Sequence, residues 1–286
     1  MDRIILDNVQ ELSERDYRKI KELVYTSIGV NLTESKKSLI KSRLSKRLRQ
    51  LNFNKFSDYI EFLNQNPNEL EIMFNLITTN VTNFFREENH FKFLRKKYLP
   101  TIKTQTTNKA NQMEIRIWSA GCSTGEEPYS ISITINEFFK NNKPPCKILA
   151  SDINTEVLKK AHKGIYPRKQ VERIPYELLV KYFKLGINEN EGLFKIKDSV
   201  KQLVTFKKIN LNTEKEYPIK KPLDIIFCRN VFIYFDSETQ NKILNKFYNV
   251  LKPQGILFLG HSEKINIESG NIKGWNQIQP TIYKKN

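Results

Sequence analysis

The stretch SAGCSTGEEPYS, Ser119–Ser130, joins small residues and two glycines to a pair of adjacent carboxylates. Small residues let backbone approach a ligand closely, and Gly121 and Gly125 open dihedrals closed to other residues. The glycine spacing is not the G-x-G-x-x-G of a dinucleotide fingerprint. Glu126 and Glu127 would also repel a pyrophosphate placed at the helix start that follows. They suit a cation, such as the α-amino group and sulfonium of S-adenosylmethionine. As an isolated pair they would merely complement a helix dipole. Asp152, at the end of CKILAS, changes the balance, because an acidic strand end can accept from both hydroxyls of a ribose. A helix-capping role competes for Asp152, and Asn154 competes for that cap. Together the turn and the acidic strand end favour a nucleoside-containing ligand without phosphates.

Such a turn needs a strand before it and a helix after it. EIRIWSA reads as the strand and Pro128–Lys140 as the helix. The rhythm continues with CKILAS (strand), Asn154–His162 (helix), LDIIFCRN (strand), Ser237–Leu251 (helix, with a Ser237–Gln240 capping box) and GILFLG (strand). Short apolar strands alternating with helices predict an α/β, Rossmann-like domain with an open, mostly parallel sheet covered on both faces. Two pieces depart from the rhythm. Leu193–Phe206 partly alternates and predicts a small antiparallel excursion, and NQIQPTIYKK predicts an antiparallel edge strand, where Pro280 is tolerated.

Upstream the pattern is all-helical. Ser13 with Asp16 resembles a capping box ahead of Tyr17, Ile20, Val24 and Ile28. Thr33 and Ser57 are placed to cap the next two helices, and Pro67 suits the first turn of a fourth. Glu87–Leu99 reads as another helix, and the polar run Thr101–Gln112 as a loop. Phe84 and Phe85 read as core.

Composition narrows the class. The chain has 286 residues, 39% of them hydrophobic, enough to bury a sizeable core. Its 48 Lys+Arg against 31 Asp+Glu leave a net charge of +17, which attracts anionic partners. Cys122, Cys146 and Cys228 are widely spaced, so they form neither a disulfide framework nor a zinc pattern. Only three histidines are present, His90, His162 and His261, and no metal site is expected. No signal-peptide core or apolar run of membrane-spanning length stands out, so a cytoplasmic protein is expected.

SAGCSTGEEPYS followed by ASDINTEVL resembles the chemotaxis-receptor methyltransferases of the CheR type. TTNVTNFFRE (Thr78–Glu87), INL (Ile209–Leu211), FCRNVFIYFD (Phe227–Asp236), LKPQG (Leu251–Gly255) and GHSE (Gly260–Glu263) match the same family in order. The resemblance implies S-adenosylmethionine as methyl donor, S-adenosylhomocysteine as product, and receptor glutamates as acceptors. It implies donor contacts from Asn80, Thr82, Arg86, Gly121, Glu127, Asp152, Asn210, Leu211, Arg229 and Asn230. Arg86 and Tyr234 are the residues expected to orient the acceptor carboxylate. A glutamate has a reference pKa of about 4.3, so the acceptor is ionised at neutral pH and needs no strong general base. Two domains are expected: a helical substrate-docking domain over residues 1–78, and a donor domain over 79–286 with a β-subdomain over about 186–206.

Seven basic residues fall between Lys36 and Arg49 with no acid among them. Like charges at helical spacing oppose one another, and an acidic partner would relieve them. Lys36, Arg43, Lys46 and Arg47 are therefore expected to face the acidic helical bundle of a cytoplasmic receptor region, which the family docks there. The membrane would be met only through the receptor, and the enzyme is expected to be a monomer. A nucleic-acid methyltransferase would suit the charge. However, CRNVFIY stands where adenine-N6 enzymes carry Asn/Asp-Pro-Pro-aromatic, and Cys228 lies on a strand rather than in an attacking position. No nucleic-acid partner is expected. A donor-binding docking module without turnover is the other alternative.

Overall fold

The structure, a computed structural model, describes residues 9–102, 114–140, 144–266 and 274–286. From residue 103 onward, the loop expected over 101–112 lies outside the described residues, and Thr101 and Ile102 are helical. The chain divides into two compact units, Met1–Thr79 with Tyr234–Asp236, and Asn80–Ile233 with Ser237–Asn286.

The first unit is helical, with helices Glu14–Ile28, Lys37–Gln50, Phe56–Gln65 and Pro67–Ile77. Ser13 caps the first, its Oγ accepting from the Asp16 N–H at 3.0 Å, and Tyr17, Ile20, Val24 and Ile28 form the buried stripe. Thr33 precedes a 3-10 turn, Glu34–Lys36, that leads into the second helix. Ser57 is not the cap of the third helix. Phe56 is itself buried and helical, so the helix begins two residues earlier than a Ser57 cap would place it, and Ser57 Oγ donates to Asp58. Pro67 occupies the first turn of the fourth helix, where its missing N–H is not needed. Tyr234–Asp236 packs with these helices: the Tyr234 carbonyl accepts from Asn31 N at 2.8 Å, and Tyr25 Oη donates to Asp236 at 2.7 Å.

The second unit is built on a seven-stranded sheet. Its strands are β1 (Ile115–Ala120), β2 (Cys146–Asp152), β6 (Val204–Lys208), β7 (Leu223–Cys228), β8 (Leu251–Leu259), β9 (Trp275–Gln279) and β10 (Ile282–Lys285). They lie in the order β6-β2-β1-β7-β8-β10-β9, parallel as far as β8 and antiparallel beyond it. Successive strand residues face opposite ways. Ile117 accordingly packs with Ile131 and Ile135 of the helix Glu126–Phe139. Its neighbour Trp118 meets Phe247 of the helix Ser237–Val250, with ring centroids 5.3 Å apart. Helices thus cover both faces, and the central strands are buried runs rather than alternating ones. Within buried β7, Asp224 is satisfied by Lys252 at 2.6 Å and the Arg116 N–H at 2.8 Å. Strand order reverses between β1 and β7, the place where open α/β sheets hold ligands.

Two sequence expectations need correction. The small antiparallel sheet is β3 (Ile165–Pro167), β5 (Leu193–Ile196) and β4 (Phe183–Leu185), so it begins well before residue 186. The run Leu193–Phe206 does not stay within it, because the helical turn Asp198–Lys201 interrupts the alternation and delivers Val204–Lys208 to β2 as a parallel edge strand. The tail forms two strands rather than one: β10 pairs with β8, and Pro280 sits in the turn to edge strand β9.

Candidate active site

The site gathers at the carboxyl ends of β1, β2, β7 and β8. After β1 the chain turns at Gly121, whose φ is +81°. A Cβ there would lie 2.4 Å from Val231 Cγ2, so only glycine lets the segment after β7 close over the turn. Glu127 is held at both oxygens. Oε1 accepts from Ser119 Oγ at 2.7 Å, and Oε2 accepts from Arg229 Nη1 at 3.2 Å. Asp152 Oδ2 accepts from Ser123 N at 2.9 Å, tying the end of β2 to the glycine turn. The competition over the helix cap is settled by Asn154, whose Oδ1 accepts from Glu156 N at 2.9 Å and Val157 N at 3.1 Å.

Arg229, at the end of β7, is buried rather than a surface charge. Its Nη2 and Nε donate to Glu87 Oε2 at 3.0 and 3.2 Å, and Nη2 also donates to the Arg86 carbonyl. Glu87 Oε1 accepts from His261 N at 3.1 Å and Asn230 Nδ2 at 3.5 Å. The backbone around this cluster is strained. Phe85, Glu87, Ser123 and Asn230 all carry positive φ (53°, 58°, 48° and 59°), a conformation costing roughly 1–3 kcal/mol at a non-glycine residue. Such outliers persist where the surroundings over-determine them, and here they ring one cluster of charges.

One guanidinium between two carboxylates leaves a surplus negative charge, and Asp152 adds to it. Burial raises the Glu127 carboxyl, opposed by Arg229 and Ser119. Burial likewise raises Asp152 against the backbone N–H groups that it accepts from. Burial also acts on Glu87, but Arg229 and the His261 N–H outweigh it and hold this carboxyl below its usual range. Bringing a cation into the site would favour the ionised forms of Glu127 and Asp152. Glu126 differs. It is fully buried, its Oε2 accepts from Thr124 Oγ1 at 2.6 Å, its Oε1 has no partner, and burial favours its neutral form.

The remaining expected donor residues fall as follows. The Asn80 carbonyl accepts from Ser123 Oγ at 3.0 Å, placing Asn80 beside the glycine turn. Thr82 is half-buried in the link that follows. Arg86 is half-buried, and its Nη1 donates to the Val81 carbonyl at 3.0 Å. Asn210 and Leu211 follow β6. Asn210 Oδ1 accepts from Asn212 N at 3.0 Å, and buried Leu211 takes the Tyr217 hydroxyl on its carbonyl at 2.8 Å. Tyr234 belongs with the helical unit, its hydroxyl 3.4 Å from the Thr79 carbonyl. Phe84 is core, against Tyr166 and Phe183, and Phe85 is partly buried.

In the helical unit, two of the four residues expected to face a partner have intramolecular roles. Arg43 Nη1 lies 3.0 Å from the carbonyls of Leu76, Ile77 and Thr78, closing the end of the fourth helix. Arg47 forks onto buried Glu69 at 2.8 and 2.6 Å, and Tyr59 Oη donates to the same carboxylate at 2.9 Å. Lys37 and Lys41 pair with Glu14 and Glu11, so acids from outside the helix relieve much of its repulsion. Lys36 and Lys46 are exposed.

Glu87 and Glu263 have site roles that the sequence reading did not assign, although both lie in family segments. Among the described residues, the one group of donors close enough to share a metal is Glu87, His90 and His261. Its carboxylate is already engaged by Arg229.

Residues 80–279 match the family described as CheR methyltransferase, SAM binding domain, and residues 15–78 match CheR methyltransferase, all-alpha domain. The chain is 43% identical to a chemotaxis protein methyltransferase of Borreliella burgdorferi, across 96% of this chain and 95% of that one. It is 41% identical to one from Salmonella typhimurium (95% and 90% covered) and 40% identical to one from Escherichia coli (89% and 86%). The glycine turn, Asp152 and the Arg229 cluster thus lie in the S-adenosylmethionine-binding part of a chain that belongs to the CheR family of chemotaxis protein methyltransferases.

Proposed function

We propose that the protein transfers the methyl group of S-adenosylmethionine to glutamate side chains of chemoreceptors, leaving glutamyl methyl esters and S-adenosylhomocysteine and so tuning sensory adaptation. The observation that carries the donor half is the buried Glu87–Arg229–Glu127 cluster with Asp152 beside it, an anionic cluster at the strand ends without a phosphate-binding glycine pattern. The acceptor half rests on membership of a family of chemotaxis methyltransferases.

The bound donor supplies an electrophilic methyl on a sulfonium. Glu127 is proposed to receive the ammonium end and Asp152 the ribose. Asn80, Thr82, Arg86 and Gly121 line the donor, as do Arg229 and Asn230, with Asn210 and Leu211 flanking the adenine. The acceptor carboxylate is already ionised, so the protein's task is to strip its water and hold one oxygen in line. Arg86 and Tyr234 are proposed for that orientation, each donating to one oxygen and leaving the other free. The helical domain over residues 1–78 is proposed to dock the acidic cytoplasmic bundle through exposed Lys36, in the turn before its basic helix, and exposed Lys46, on that helix. The enzyme is proposed to work as a cytoplasmic monomer that meets the membrane only through its receptor.

The test is incubation with methyl-labelled donor and either a receptor cytoplasmic fragment or RNA. Protein label released as methanol by mild base supports the reading. Base-stable label, or label on RNA, would sink it, and donor binding without transfer would leave a docking module.

A further inference from the structure

Glu263 is a buried carboxylate whose hydrogen bonds come from backbone amides. Its Oε2 accepts from Asn230 N at 2.9 Å and Gly260 N at 2.6 Å, and its Oε1 from Ile233 N at 3.3 Å. The amide of Phe232 also donates to it. These donors lie on two different segments, the one leaving β7 and the turn leaving β8. Gly260 makes their meeting possible, since a Cβ there would lie 2.6 Å from Asn230 Nδ2 and 2.8 Å from Glu263 Oε2.

Among the described residues no cation pairs with Glu263, and a carboxylate leaves water at a penalty that hydrogen bonds must offset, so this is a costly way to join two loops. What this carboxylate fixes is the backbone of residues 230–233, directly after Arg229. Asn230 is held there at a positive φ of 59°, from which its Nδ2 reaches Glu87 Oε1 at 3.5 Å. We infer that Glu263 is a positioning residue for donor binding, fixing the segment after β7 so that Arg229 and Asn230 meet Glu87 and Glu127. The inference rests on the reading of that cluster as the donor pocket, and it deepens that reading.

Glu263→Gln is the informative change. The amide nitrogen cannot accept and would confront backbone N–H groups, whereas Glu263→Asp keeps both acceptors on a shorter arm. The experiment measures S-adenosylhomocysteine affinity by calorimetry on the full chain, below the melting temperature of each variant, together with receptor-fragment binding. Glu263→Gln is expected to weaken product binding at least tenfold with receptor binding unchanged, and Glu263→Asp to recover part of the loss. Wild-type product affinity in folded Glu263→Gln overturns the inference. So does a lowered melting temperature in both variants with product affinity intact, the signature of a purely structural role. If neither variant folds, hydrogen exchange on the wild type decides. The amides of Asn230, Ile233 and Gly260 should be protected like those of β7, and exchange at the rate of exposed loops overturns the inference. Product binding needs no acceptor. A wild type that binds product but does not methylate receptors would therefore refute the proposed function and leave this inference standing.

Discussion

Arg229 holds Glu127 and Glu87 at once, with Nη1 3.2 Å from the first carboxylate and Nη2 3.0 Å from the second. All three groups are nearly removed from water, so neither carboxylate can be left behind cheaply. Arg229→Met should lower unfolding free energy by about 3–5 kcal/mol in denaturant titrations. Arg229→Lys should cost less, because the charge survives and only the fork is lost. Adding Glu87→Gln to Arg229→Met should restore part of the loss. Strictly additive costs in that double-mutant cycle would show that the ion pair is not the linkage described.

Donor affinity should depend on pH in one direction. Burial raises both Glu127 and Asp152 above their ordinary values, and a cationic ligand binds their ionised forms. Affinity is therefore fully present above the raised values and falls as pH drops through them, by up to about tenfold per pH unit for each group. Calorimetry from pH 8 to pH 5 should show this fall, and Glu127→Gln should bind more weakly and with a flatter profile. An equally steep profile in Glu127→Gln would remove Glu127 as a source of the effect.

Gly121→Ala combines two penalties. Its Cβ meets Val231 Cγ2, and its φ of +81° disfavours any side chain. Stability should fall by roughly 1–3 kcal/mol, with donor binding impaired. Gly121→Ala/Val231→Ala should relieve the clash but not the backbone strain, so its melting temperature should rise only partway toward that of Val231→Ala alone. Full recovery would mean that the dihedral carries no cost.

Variants of the basic helix Lys37–Gln50 can separate fold from the proposed docking. Arg47→Met leaves buried Glu69 without its cation and should destabilise the protein by about 3–5 kcal/mol. Lys46→Ala, on the exposed side, should change stability by no more than about 0.5 kcal/mol while weakening receptor-fragment binding. A Lys46→Ala variant that binds the fragment like wild type would remove the proposed docking role from that residue.

What the sequence reveals here follows the range of the interactions. The glycine turn, the Asp152 strand end and the strand–helix rhythm are local patterns, and each appears in the structure where its residues predict it. Glu87 and Glu263 are different. Their partners, Arg229 and the amides of Asn230 and Ile233, lie far along the chain, and a backbone N–H has no signature in sequence. Arg43 and Arg47 show the converse. A run of seven cations with no acid among them looks unpartnered until Glu69 and the carbonyls of Leu76–Thr78 are brought to it. Val204–Lys208 joins β2 rather than the small sheet because one helical turn, Asp198–Lys201, redirects the chain.

The adjacency of β1 and β7, with Ile117 opposite Ile225, also fixes an order of events during synthesis. A ribosome delivers the glycine turn, Glu127 and Asp152 long before Arg229. Until β7 emerges, Glu127 has no guanidinium to meet, and the centre of the sheet has an open edge. The nascent chain must therefore carry an incomplete sheet through most of its translation. A chain stopped before residue 229 lacks both the middle of the sheet and the Glu127–Arg229 pair, because the two close in the same step.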